Sequence, residues 1–248
     1  MECKNLFNAR YGVGALVGIF LLLLLNANAN ANANANANIN TNADAQAPTD
    51  TEAVSYKLVR IKDSEFNFFA LKSRDVLKNY AKILYVPMSS KNLVLKKSGD
   101  SDIDRSWKRA TPQDWLSFTS AFDVMVPKYF PNDKDFALTD KAGSDVLAVQ
   151  VRLAEYTPRV DRKGELGQVT VGHQEVRSYG DVLIIVMLVD SLTNEVVGIA
   201  SDGISLGSGS LLAKSSSTSS QMIGWQRAYE IWLNKLREQL DSSHGSLK

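Results

Sequence analysis

The pattern of hydrophobic and polar positions divides the chain into three parts. Residues 11–25 are uncharged and mostly apolar, and residues 26–38 alternate asparagine with alanine. The regular alternations typical of a folded domain begin at about residue 66, after a polar stretch at residues 48–64. The pattern therefore indicates that the N-terminal 65 residues are distinct from the folded domain that follows them.

Four segments have the pattern of β-strands. Residues 145–156 alternate, so Gln150 and Arg152 are predicted to face away from the core. Residues 182–189 are apolar throughout, as in a central strand covered on both faces. Residues 190–194 predict a turn and residues 195–200 a returning strand, which together make a hairpin. Residues 81–88 predict a further strand, with Pro87 at a sheet edge or strand end.

Two segments have helical periodicity. Thr111, Pro112 and Asp114 form a helix start, with a capping threonine, a proline in the first turn and an acid after it. This helix is predicted to end near Tyr129, and a second one spans about residues 219–240. Residues 66–80 predict a short helix or coil. Polar loops are predicted at residues 89–106, 157–178 and 201–220.

The order of these elements predicts an α/β fold of the α+β type. We expect a two-layer sandwich in which a mostly antiparallel sheet of about four to five strands is covered by two amphipathic helices. The single globular domain is expected at residues 66–241, and residues 242–248 are expected to be a frayed tail.

The first residues predict export. A positive start, a short apolar run and small residues after it are typical of a signal peptide at residues 1–31, with cleavage between residues 29 and 47. Residues 32–65 would then be a disordered Asn/Ala-rich leader and linker. Two alternatives are an uncleaved membrane tether through residues 11–25 and a lipid anchor. A lipid anchor requires a cysteine directly after the apolar run. The single cysteine of the chain, Cys3, instead precedes that run.

Composition excludes several classes of function. The formal net charge is +1, and short basic clusters are interleaved with acids, so we expect no nucleic-acid partner. One cysteine cannot form an internal disulfide or a multi-cysteine zinc site. Neither histidine, His173 nor His244, has a second ligand at metal spacing. We therefore expect no cofactor, no metal and no catalytic residue.

One short motif suggests an enzyme. Gly203, Ser205 and Gly207 match the G-x-S-x-G nucleophile elbow of serine hydrolases, and Asp241 and His244 are the acid and histidine that follow in order. The elbow requires a helix directly after the serine, and the serine-rich sequence that follows is a poor helix start. The glycines at 203, 207 and 209 lack the spacing of a phosphate-binding loop. The acid pairs Asp102/Asp104 and Asp133/Asp135 are predicted to lie in solvated loops.

The order of the elements resembles a known family. The resemblance is carried by AKILYVPM, TPQDWLSFTSAF, DVLAVQVRLAEYTP, IIVMLVDSLTNEVVGIASDG and WQRAYEIWLNKLREQLD. Together they resemble the bacterial envelope family called domain of unknown function 3313, over residues 66–241. The family has a Thr-Gly-Glu-type turn, matched here by Thr193, Asn194 and Glu195 after Asp190. Asn194 takes the glycine position, and asparagine tolerates the left-handed conformation.

Members of that family are typically lipoproteins of Gram-negative envelopes with no established activity. The resemblance therefore implies an envelope location and contributes no catalytic residues. Together with the export pattern, it leads to the hypothesis of an exported, non-enzymatic accessory or interaction module in the periplasm or envelope. We expect it to contact unknown envelope proteins through the loops at residues 157–178 and 201–220. The alternatives are a periplasmic serine hydrolase using Ser205 and a membrane-tethered stalk protein.

Overall fold

The fold is described from a computed structural model of the chain. It describes residues 55–162, 178–207 and 218–245. The predicted signal peptide, its cleavage region and most of the predicted leader lie outside the described residues, as do His173 and Gly209. Within the described part, no helix is both long and apolar enough to cross a membrane.

The described chain forms one sheet and a layer of helices. The strands are β1 (Val59–Arg60), β2 (Phe68–Leu71), β3 (Lys82–Ser89), β4 (Val94–Leu95), β5 (Ala137–Leu138), β6 (Val146–Pro158), β7 (Ser178–Asp190) and β8 (Val196–Gly207). The helices are α1 (Ser101–Lys108), α2 (Pro112–Tyr129) and α3 (Thr218–His244), with a short 3-10 helix at Val76–Asn79.

The sheet has eight strands in the order β1-β2-β8-β7-β6-β3-β5, and β4 also pairs with β6. The pairs β1–β2, β2–β8, β7–β8 and β6–β7 are antiparallel, whereas β3 and β4 run parallel to β6 and β5 runs parallel to β3. The predicted α+β class with a mostly antiparallel sheet is confirmed, but the strand number exceeds the expected four to five. The added strands have two to four residues each, too short to give a sequence pattern.

Three boundaries differ from the prediction. Residues 66–80, expected to be helix or coil, contain β2, whose four residues are all buried, before the 3-10 helix at Val76–Asn79. The predicted loop at 201–220 begins with strand, because β8 continues to Gly207. The folded part also exceeds residues 66–241, since β1 precedes it and α3 runs to His244.

Helix α1 lies in the segment predicted as a polar loop at residues 89–106. Asp100 caps it, because its carboxylate accepts hydrogen bonds from the backbone N–H groups of Asp102 (2.8 Å) and Ile103 (3.1 Å). Only Ile103 and Trp107 of this helix are buried. Two apolar residues in an acidic and serine-containing stretch are too few to give a clear periodicity.

Helix α2 begins as predicted. Thr111 and Asp114 form a reciprocal capping box, in which the Thr111 backbone N–H donates to the Asp114 carboxylate at 2.7 Å. Further along α2, the Asp123 carboxylate accepts hydrogen bonds from the Tyr85 hydroxyl (2.5 Å) and the Met88 backbone N–H (2.8 Å). These contacts fix the helix on strand β3.

The main core lies between the helices and one face of the sheet. Phe118 of α2 stacks on Trp225 of α3 at 4.6 Å, and Phe122 meets Tyr229 edge-on at 5.1 Å. The second pair lies four residues after the first in both helices, so α2 and α3 run parallel. Aromatic pairs of this geometry add to the stabilisation from buried area.

An ion pair is buried at the boundary between α3 and the sheet. The Lys235 ammonium of α3 donates to the Asp202 carboxylate of β8 at 2.7 Å. The Asp202 side chain is only 2% exposed and that of Lys235 is 28% exposed. This charge pair therefore fixes α3 against β8 within a largely apolar layer.

The β7–β8 turn has the conformation expected from its sequence. Asn194 has a φ of 59°, so the prediction of a left-handed asparagine is confirmed. The Asp190 carboxylate accepts hydrogen bonds from the backbone N–H groups of Leu192 (3.0 Å) and Thr193 (2.8 Å) and from the Tyr80 hydroxyl (2.9 Å). Burial alone would raise the pKa of Asp190, but these hydrogen bonds outweigh it and hold that pKa below its ordinary value.

Candidate functional site

The sheet face that points away from the helices is called the open face. Cross-strand partners place Phe68, Ser201, Ile185 and Arg152 in one row across β2, β8, β7 and β6. A second row comprises Ala70, Ile199, Met187, Gln150 and Val86. Successive residues of a strand point to opposite faces, so both rows lie on the side opposite the main core.

Much of the open face is apolar. Phe68, Ile185 and Ile199 form a cluster that is separate from the main core, together with Leu58, Ala70 and Ala154. The half-buried side chains of Leu183, Met187 and Val196 pack against this cluster. None of the described helices contributes a residue to it, so the cluster belongs to the open face alone.

Two half-buried polar side chains lie on the same face as this buried cluster. Arg152 and Gln150 are half-buried and lie two residues apart on β6, about 7 Å from each other along the strand. Among the described residues, neither side chain has a hydrogen bond or an ion pair. Arg152 is also the one half-buried cation of the described chain with no partner. A planar guanidinium binds carboxylate or phosphate in bidentate fashion, so this pair can receive an anion.

Nearby charges on the same strands are neutralised. The Arg159 guanidinium lies 2.7 Å from the Asp181 carboxylate, and the Lys96 ammonium lies 3.2 Å from the Glu155 carboxylate. These pairs leave the positive charge of Arg152 uncompensated in its part of the sheet.

The structure does not bring the predicted hydrolase residues together. Ser205 lies within strand β8 rather than on a strand-to-helix turn, and its hydroxyl pairs with that of Ser178 at 2.8 Å. His244 packs edge-on against Phe136, with its Nδ1 3.7 Å from the Asp135 carboxylate. Asp241 instead accepts a hydrogen bond from Arg237 (2.8 Å).

Ser205 and His244 lie at opposite ends of the strands. Ser205 is opposite Asp181 near the start of β7, whereas Phe136, the neighbour of His244, donates its N–H to Ala81 just before β3. The start of β3 lies beside the start of β6, which in turn lies beside Asp190 at the end of β7. At the rise of an extended strand, Asp190 is about 30 Å from Asp181. A charge relay among these residues cannot form in this arrangement.

The other sequence candidates have structural positions. Gly203 and Gly207 lie in β8, so they do not form a phosphate-binding loop. Asp102 and Asp104 belong to α1, where Asp104 accepts from the Ser98 backbone N–H at 2.7 Å. Within the described residues, no group of three or more histidine, cysteine, aspartate or glutamate side chains is arranged to hold a metal ion.

Arg152 lies on the polar side of its strand, as the sequence predicts, but the sequence does not mark it as a site residue. The alternation of residues 145–156 gives the direction of the side chain. The absence of a neighbouring carboxylate depends on strand order, which places uncharged Ile185 and Ser89 beside Arg152. No local sequence signal carries that information.

No family model matches the chain, and no curated protein matches it. The resemblance to domain of unknown function 3313 is therefore not confirmed.

Several solved structures are similar to part of the chain at low identity. Protein XCC0632 from Xanthomonas campestris, of the family model DUF330, is 14% identical over 68% of this chain and 89% of that chain, with a TM-score of 0.37. A PelC dodecamer from Paraburkholderia phytofirmans is 15% identical over 60% and 88%, with a TM-score of 0.28. A putative neuraminyllactose-binding hemagglutinin homolog from Helicobacter pylori is 9% identical over 68% and 87%, with a TM-score of 0.34.

Proposed function

We propose that this chain is an exported bacterial cell-envelope protein with a non-enzymatic, accessory function, and that it binds a partner protein through the open face. The observation that carries the proposal is the Arg152 guanidinium, unpaired among the described residues, beside Gln150 on a sheet face where Leu183, Met187 and Val196 are half-buried. The contact loops expected at residues 157–178 and 201–220 lie partly outside the described residues, and that expectation stays a prediction.

The chemistry of the open face indicates the kind of partner. A half-buried guanidinium is attracted to a carboxylate, and a charge-assisted hydrogen bond is stronger where water is partly excluded. The half-buried Leu183 and Met187 provide apolar contact area on the neighbouring strand. An extended protein segment that carries a carboxylate between apolar side chains fits this surface.

Crosslinking tests the use of this face. A photoreactive phenylalanine analogue would replace Met187 on the open face or, as a control, Leu116, which is 50% exposed on α2. After irradiation of expressing cells, we expect a protein adduct at Met187 that disappears in Arg152→Ala. Equal adducts at both positions, no adduct at Met187, or an adduct that persists in Arg152→Ala would contradict the proposal.

The envelope location is supported by the export pattern of residues 1–31 and by the resemblance to domain of unknown function 3313. Intact mass of the protein from separated periplasmic and membrane fractions tests it. We expect a species that begins between residues 29 and 47. A full-length species held in the membrane would instead identify residues 11–25 as a tether.

The hydrolase alternative has a direct test as well. Because Ser205 is paired with Ser178 and distant from His244, we expect no labelling of the protein by a serine-reactive phosphonate. Labelling that is lost in Ser205→Ala would restore the alternative.

A further inference from the structure

We infer that the first two turns of α3, residues 218–224, open away from the sheet while the rest of the helix stays docked. This segment is called the α3 strap. Its opening uncovers Tyr179 of β7, which the closed domain buries. The device is independent of the proposed partner surface, because α3 packs on the main core, on the other side of the sheet from the open face.

The α3 strap buries a polar side chain that has no hydrogen bond. Gln221 is 1% exposed, and among the described residues neither its Oε1 nor its Nε2 has a hydrogen-bond partner. Burial raises the pKa of the nearby Tyr156 hydroxyl and Gln221 acts in the opposite direction, but the two side chains do not reach hydrogen-bond geometry. A buried amide without a partner lowers stability, because it loses its hydrogen bonds to water and gains none.

Tyr179 lies against the α3 strap and has the same defect. Its side chain is 1% exposed, and its hydroxyl has no hydrogen-bond partner among the described residues. A Cβ at Gly224 would lie 2.8 Å from Cδ2 of the Tyr179 ring, so the helix backbone packs directly on this ring. Opening of the strap therefore gives water access to both the Tyr179 hydroxyl and the Gln221 amide.

Opening exposes little apolar surface. Met222 is half-buried, and Ile223 is already 48% exposed. The apolar anchor at this end of the helix is Trp225, which stacks on Phe118 at 4.6 Å and lies just beyond the strap. Gly224 precedes this anchor and lowers the cost of breaking the helix there, because glycine is a poor helix former.

The C-terminal half of α3 is held differently. Three of its side chains bond to other elements, namely Lys235 to the Asp202 carboxylate at 2.7 Å, Arg237 to the Asp135 carbonyl at 2.7 Å and Gln239 to the Ser64 hydroxyl at 2.8 Å. Within residues 221–224 of the strap, no side chain makes such a bond. The helix is therefore held firmly at one end and weakly at the other.

Hydrogen exchange followed by mass spectrometry tests the inference on the chain recovered from expressing cells. The backbone N–H groups of residues 222–228 bond to the carbonyls of the strap, so opening exposes them. We expect them to exchange at least about tenfold faster than those of residues 232–240, with little dependence on low urea concentrations, because local opening exposes little surface. Equal rates with the same urea dependence in both segments would overturn the inference.

Two matched substitutions distinguish the strap from ordinary fraying of a helix end. Gln221→Leu removes the unpartnered amide, so it should slow exchange of residues 222–228 at least about fivefold. Gln239→Leu, at another buried position of the same helix, removes a bonded amide and should instead speed exchange of residues 232–240. If Gln221→Leu speeds exchange of residues 222–228, the Gln221 amide is bonded in solution and the inference is wrong.

Exposure of Tyr179 is the second readout. Hydroxyl-radical footprinting should oxidise Tyr179 at least about tenfold more than Tyr229, which is equally buried but lies beyond the strap. Gln221→Leu, or the unbranched Gln221→Met, should reduce oxidation of Tyr179 and leave that of Tyr229 unchanged. Equal oxidation of the two tyrosines would contradict the inference. Far-UV circular dichroism and the midpoint of thermal unfolding check that each variant folds.

Discussion

The buried ion pair between Asp202 and Lys235 gives a sharp prediction about stability. Lys235→Met keeps most of the apolar stem of the side chain and removes its charge. The Asp202 carboxylate, 2% exposed, would then be left between α3 and β8 without its cation. A buried charge that loses its partner is strongly destabilising, because the protein cannot replace the lost hydration.

The expected size follows from this burial. Removing one member of a buried pair costs about 3–5 kcal/mol, and the 28% exposure of Lys235 favours the lower end, about 3 kcal/mol. For a domain of this size that corresponds to a decrease in Tm of roughly 6–12 °C. The double variant Asp202→Leu/Lys235→Met should stay within about 1 kcal/mol of wild type, because it leaves no buried charge.

Urea unfolding followed by circular dichroism measures these differences. Lys82→Met is the matched control, because Lys82 lies 3.0 Å from Asp145 but both side chains are about half exposed, at 50% and 45%. We expect that variant to cost less than about 1 kcal/mol. Two results would contradict this prediction. Lys235→Met would lower the free energy of unfolding no more than Lys82→Met does, or the double variant would lose as much stability as the sum of its single changes.

Three further predictions concern other parts of the fold. Because hydrogen bonds lower the pKa of Asp190, the ionised carboxylate stabilises the fold at neutral pH, and this stabilisation is lost as the pH falls below about 4. In acid unfolding, the difference in free energy of unfolding between Asp190→Asn and wild type should therefore shrink over that range. Gly180→Ala should cost about 1–3 kcal/mol in urea unfolding, since its Cβ would lie 2.7 Å from a backbone oxygen, whereas Gly203→Ala, with 3.7 Å of clearance, should change little. The Tyr229 hydroxyl is buried without a hydrogen-bond partner among the described residues, so Tyr229→Phe should leave Tm unchanged or raise it. Tyr85→Phe removes a hydrogen bond to the Asp123 carboxylate and should lower Tm.

The results that would contradict these predictions are specific. A constant difference between Asp190→Asn and wild type from pH 7 to about pH 2 would mean that the carboxylate is not preferentially stabilised in the folded state. Equal losses for the two glycine variants would show that steric clearance does not decide the outcome. A larger loss for Tyr229→Phe than for Tyr85→Phe would reverse the hydrogen-bond argument.

Long periodic elements were predictable because their buried residues repeat many times. Helix α2 and strand β6 are of this kind, and the capping residues of α2 gave its start. Strand β8 shows how composition can hide a pattern. Asp202, Ile204 and Leu206 are buried in alternation with exposed positions, but the glycine and serine content of residues 201–207 suggested a loop.

The pairing of the strands was not predictable from the sequence, and the candidate site depends on that pairing. Strands β3 and β6 are parallel and β2 joins β8 at the other side of the sheet, which no local pattern specifies. Arg152 was assigned to the correct face from alternation alone. Its lack of a counter-charge is a property of the neighbouring strands, so it became visible only in the three-dimensional structure.

The position of α3 after all the strands of the sheet has a consequence for the order of synthesis. Trp225, Tyr229 and Trp232, which are among the largest fully buried side chains, come from this helix. Strand β2 likewise pairs with β8, more than a hundred residues later in the chain. A nascent chain therefore lacks both the cover of its main core and the partner of its first long-range strand until β8 and α3 have been synthesised.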